Sequence, residues 1–138
     1  CLEIISTHLM VGTGLLEQVI KDNSIFVLET SEDMPSAYHC WETMIALGER
    51  GLSSRFSGLL IGRPKAWSSE RPLEEKARAT YRSSVLDAIL DGFRRYNMKA
   101  PVVMNLDIGH TEPQILVPLG RRCIVDAAER RIEFSYGG

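Results

Sequence analysis

The sequence predicts an α/β domain whose core strands run parallel and whose C-terminal strands pair antiparallel. Three observations carry this reading. Short apolar runs at 25–28, 57–62 and 101–106 alternate with two segments of helical period. Strands separated by helices require crossovers and pair in parallel. From residue 115 onward the apolar runs are short and separated only by turns, the pattern of adjacent antiparallel strands. A mixed or two-sheet arrangement follows.

Taken in order, residues 2–11 read as a helix, and Gly12 and Gly14 mark a linker before the first strand at 25–28. Pro35 suits the first turn of the next helix, with Asp33 as its cap. Ala37, Cys40, Trp41, Met44 and Ile45 share a face at spacings of three and four, and Gly51 ends that helix. The run 57–62 is a second buried strand and 63–72 an irregular loop. A long helix covers about 73–96, where Ala77, Tyr81, Val85, Ile89 and Phe93 repeat at helical period. A third buried strand is expected at 101–106. Short strands are expected at 115–117, 122–125 and 131–134, around turns at 118–120 and 127–130.

The chain has 138 residues, 44% hydrophobic and 25% charged, with a formal charge of −2. This fits one domain able to bury a core, without the basic excess that a nucleic acid polymer or an anionic membrane would favour. No apolar stretch approaches the roughly 20 residues that span a bilayer, and no signal pattern opens the chain, so a soluble protein is expected. Cys1, Cys40 and Cys123 cannot all pair with one another and lack metal or redox spacing; a reducing cytoplasm is the simpler setting. No metal set or cofactor motif is read.

Two ionisable residues stand just past apolar runs: Glu29 after 25–28, and His110 in Asn105-Leu106-Asp107-Ile108-Gly109-His110-Thr111-Glu112-Pro113-Gln114. Residues delivered to the ends of parallel strands emerge at one sheet edge, where open α/β sheets build their sites. A carboxylate on one imidazole nitrogen fixes the tautomer and frees the other nitrogen to take a proton from a hydroxyl. Glu32 and Asp33 are alternative orienters but suit the helix entry better. Asp107 reads as a brace for the histidine loop. Arg63 and Lys65, leaving the second strand, are candidates to bind a carboxylate or phosphate of a substrate. Trp67 reads as core or interface, Cys40 as plain core, and His8 and His39 carry no site. No nucleophile accompanies this set.

The segments Leu28-Glu29-Thr30-Ser31-Glu32, Ser57-Gly58-Leu59-Leu60-Ile61-Gly62-Arg63-Pro64, Gly109-His110-Thr111-Glu112-Pro113-Gln114 and Pro118-Leu119-Gly120 occur in an order that resembles the LD-carboxypeptidase and microcin C immunity peptidase family. The resemblance covers nearly the whole chain, as a C-terminal domain. It implies a swivelling β/β/α domain and a cytoplasmic serine peptidase that hydrolyses an amide near a C-terminus. The substrate that the resemblance implies is a murein L,D-peptide or an aminoacyl-nucleotide mimic, with the wording slightly closer to the immunity branch. By motif position it implies that Glu29 and His110 are two members of a Ser-Glu-His triad. The serine of the family lies in an N-terminal domain, and Cys1-Leu2-Glu3 resembles the end of a Gly-Gly-Cys/Asn-Leu motif. The expectation is therefore residues 1–138 as the catalytic C-terminal half of a two-domain enzyme, inactive alone, with that N-terminal domain as its partner. Monomer and homodimer remain open. The alternative is a noncatalytic binding or dimerisation module with the family fold, in which Glu29 and His110 need not touch.

Overall fold

In the computed structural model, which describes residues 1–137, the three apolar runs form one sheet and the C-terminal pair forms another. In chain order the elements are α1 (Leu2–Val11), α2 (Leu15–Val19), β1 (Ser24–Leu28), α3 (Ala37–Glu49), a 3-10 turn at Ser53–Arg55, β2 (Phe56–Gly62), α4 (Glu75–Arg94), β3 (Val102–Leu106), β4 (Cys123–Asp126) and β5 (Arg131–Phe134). Strands β1, β2 and β3 lie side by side in that order and all run parallel, with Leu28 beside Ile61 and Leu59 beside Val102. Strands β4 and β5 form a separate antiparallel hairpin, Cys123 opposite Phe134. The fold class is thus a mixed α/β domain with a parallel core and an antiparallel C-terminal pair.

Side chains alternate across a strand, so each face of the sheet needs its own cover. Leu28, Leu59 and Ile61 join a core with Cys40, Met44 and Leu47 of α3, Val85, Ile89 and Phe93 of α4, and Leu2 and Leu9 of α1. On the opposite face Leu60 is fully buried. There one cavity of about 610 Å³ lies between Ile25 and Val27 of β1 and Val117, Leu119 and Phe134. A second, of about 320 Å³, lies between Val103 and Val125 and Ile132 of the hairpin. Helices, parallel sheet and hairpin therefore stack as three layers.

Several local expectations change. Helix α3 is capped by Ser36, whose Oγ accepts from the His39 N–H at 3.1 Å, and not by Asp33. Its buried face is turned toward Thr43 and Leu47, leaving Trp41 and Ile45 half-buried. The short helix α2 lies where a linker was expected. Gly12, the C-cap of α1, and Gly14, the N-cap of α2, have φ of 67° and 69°. Strand β3 is an edge strand and is half-exposed rather than buried, with Met104 and Asn105 facing solvent. Residues 115–117 form no strand, because Leu116 is exposed and Ile115 makes a backbone bond only to Asp107. Ala77, in the exposed first turns of α4, does not reach the core. No helix among the described residues is long and apolar enough to cross a membrane.

Candidate active site

Because β1 and β3 run parallel, their C-terminal ends meet the same edge of the sheet, separated by the end of β2. Glu29 is the first residue after β1, and its backbone carbonyl accepts from the Leu2 N–H at 2.8 Å, which fixes it against the start of α1. Beyond β3 the chain turns sharply: Arg63 N–H and Ile108 N–H both donate to the Leu106 carbonyl, at 2.8 and 2.9 Å. Two glycines let this turn lie on Glu29. A Cβ on Gly62 would stand 2.6 Å from the Ile108 carbonyl oxygen, and one on Gly109 would stand 2.7 Å from Glu29 Cβ. Gly109 also has φ of 92°, a conformation side chains resist.

This packing brings together residues 81 positions apart. His110 Nδ1 lies 2.7 Å from Glu29 Oε2. Glu29 is mostly shielded, with 20% of its side chain exposed, while His110 is 40% exposed and presents its ring to the surface. The second ring nitrogen is also engaged: His110 Nε2 lies 2.9 Å from Glu32 Oε2. Each ring nitrogen thus faces one carboxylate oxygen. The expected helix-entry role of Glu32 is replaced by this contact. No sequence spacing signals it, because it depends on how the turn after β1 is tied down.

That turn is held at both ends. Ser31 donates from its N–H and its Oγ to Glu3 Oε1, at 3.1 and 2.7 Å. Arg71 donates to the carbonyls of Asp33 and Met34, at 3.0 and 2.9 Å. Met34 is buried, with φ of 55°, so the turn is anchored in the core while Glu32 projects outward. The Thr30 and Thr111 hydroxyls, next in sequence to Glu29 and His110, are buried without a partner among the described residues.

Arg63 and Lys65 part company. The Arg63 guanidinium Nη2 pairs with Asp107 Oδ1 at 2.7 Å and donates to the Glu112 carbonyl at 3.1 Å, closing the loop that carries His110. Asp107 accordingly braces that loop, as its position suggested, and its carbonyl accepts from Ile115 N–H at 2.7 Å. The Gln114 side-chain amide adds a bond to the Gly109 carbonyl. Lys65 instead lines a polar cleft of about 450 Å³ with Glu32, Trp67, Ser68 and Arg71. Trp67 is 44% exposed, with the Arg78 guanidinium 5.9 Å from its ring centroid, so it is not core. Cys40 is wholly buried, and burial pushes its thiol up to about 12.

No curated protein matches the sequence significantly. Among solved structures, the crystal structure of an MccF-like protein from Streptococcus pneumoniae in complex with AMP matches at a TM-score of 0.64 and 30% identity. The match covers 83% of this chain and 29% of that one, so the chain spans less than a third of that protein's length. The family model described as LD-carboxypeptidase C-terminal domain matches residues 1–125. The match takes in the whole parallel sheet and its covering helices, and the chain belongs to the LD-carboxypeptidase C-terminal domain family.

Proposed function

We propose that this chain supplies the acid–base half of a serine peptidase site, His110 as general base and Glu29 as its orienting carboxylate. The observation that carries the reading is the 2.7 Å contact between His110 Nδ1 and Glu29 Oε2 at the C-terminal edge of a parallel sheet. Membership of a peptidase family supports it. The nucleophilic serine, on this reading, is delivered by an N-terminal domain of a longer protein.

The chemistry is acyl transfer. The serine hydroxyl attacks the amide carbonyl and gives its proton to His110 Nε2. Glu29, on the other nitrogen, holds the ring in place and stabilises the imidazolium. The imidazolium returns the proton to the leaving amine as the C–N bond breaks, and water repeats the sequence on the acyl-enzyme. The oxyanion is stabilised by backbone N–H groups beside the serine, outside this chain.

The substrate class is an amide near a C-terminus, either a murein L,D-peptide or an aminoacyl-nucleotide mimic. The AMP in the MccF-like relative supports the second. Lys65, which lines a cleft with Glu32, is proposed to meet a substrate carboxylate or phosphate.

The test is hydrolysis of both substrate classes by the chain joined to its serine domain. His110→Gln and Glu29→Gln are each expected to lower kcat by about 10²–10⁴, and the chain alone to be inactive. Retention of full activity by His110→Gln overturns the assignment.

A further inference from the structure

Glu32 occupies the nitrogen that the proposed mechanism needs. His110 Nε2 must face the serine hydroxyl, yet the Glu32 carboxylate sits 2.9 Å from it. Serine and Glu32 therefore compete for one atom, and catalysis requires that Glu32 give it up. The turn around Glu32 is fixed through Ser31 and Arg71, so the side chain, 55% exposed, is the part free to move. It lines the cleft together with Lys65, Trp67 and Ser68.

Resting on the reading of His110 as the base, we infer that Glu32 is a specificity-determining residue that selects substrates carrying an ammonium group beside the scissile amide. Drawing Glu32 away from the ring costs it a hydrogen bond, and any proton on Nε2 must pass to solvent before that nitrogen can take the serine's. A substrate ammonium replaces that partner and so favours the arrangement in which Nε2 is open; a neutral substrate offers no such compensation. The location fits. Nε2 passes its proton to the leaving amine, so a carboxylate one hydrogen bond away from it lies within reach of groups flanking the scissile bond. Lys65 and Arg71 line the same cleft beside the acidic Asp33, Glu70 and Glu32, so it offers charges of both signs to a zwitterionic residue.

The experiment compares paired substrates in the two-domain protein. One member bears a free amine on the residue that donates the acyl group, and the other is acetylated there. The unaltered protein is expected to favour the free amine by about tenfold or more in kcat/KM. Glu32→Gln is expected to bring the two within about twofold, by slowing the free amine and speeding the acetylated substrate. Glu32→Asp, with a shorter reach, falls between. An unchanged ratio in Glu32→Gln, or equal slowing of both substrates, overturns the inference. His110→Gln separates the two claims. If it abolishes turnover while Glu32→Gln leaves the ratio untouched, only the role of Glu32 fails. If it leaves turnover intact, the triad reading fails with it.

Discussion

Gly109 lies directly against Glu29: a Cβ added to the glycine would stand 2.7 Å from Glu29 Cβ and 2.8 Å from its Oε2, the oxygen that holds His110. The positive φ adds a second penalty to any side chain there. Gly109→Ala is expected to cost about 1–3 kcal/mol in chemical denaturation and to separate the pair, seen as a shift of the His110 ring resonances. Gly51→Ala, at a similarly positive φ but with open space around its Cβ, should leave those resonances in place.

Arg63 is expected to act through the loop rather than on the substrate. It joins Asp107 to the Glu112 carbonyl across His110, so Arg63→Met should lower kcat of the two-domain protein about tenfold with KM nearly unchanged. Arg63→Lys should recover only part of the rate, because a single ammonium replaces a planar fork. A matching rise in KM would instead make Arg63 a substrate contact.

The cap of α3 provides a stability test. Ser36→Ala removes the acceptor for the His39 N–H and should cost about 1 kcal/mol, with Ser36→Asp near neutral. Asp33→Ala, outside the helix, should change stability by no more than about 0.5 kcal/mol.

Cys40 gives a pH test. Burial raises its thiol from about 9 to about 12, so the folded state retains a proton that the unfolded chain releases. Its contribution to stability is whole below pH 9 and is lost as pH rises toward 12. Burial raises Tyr81 in the same direction. Alkaline denaturation should steepen across this range, and Cys40→Ala should remove part of the slope. Native alkylation should label exposed Cys1 first and leave Cys40 unmodified.

The apolar runs revealed β1 and β2 because each is long enough and shielded enough to carry a pattern, and the spacing of Cys40, Met44, Val85, Ile89 and Phe93 revealed the helices that cover them. Helix α2 escaped notice because Leu15 and Val19 are exposed and its five residues have no side-chain cap; it is held from outside, by Leu16 and Ile20 on the core and Arg50 on Glu17. Residues 115–117 have strand composition but no strand beside them. That Glu29 and His110 share an edge of the sheet was legible from the parallel topology, while their triad roles came from the family resemblance. Glu32 was not, since its contact depends on Glu3 and Arg71, which lie far from it in sequence.

The two carboxylates on either side of the His110 ring belong to one turn and stand three residues apart in the chain. They are thus not independent clamps. The imidazole is gripped by two side chains of a single short turn, as an axle is by one forked bracket, and that bracket is bolted to α1 through Glu3 and to the cleft wall through Arg71. A resonance of the His110 ring is therefore expected to shift on substitution of either Glu3 or Arg71.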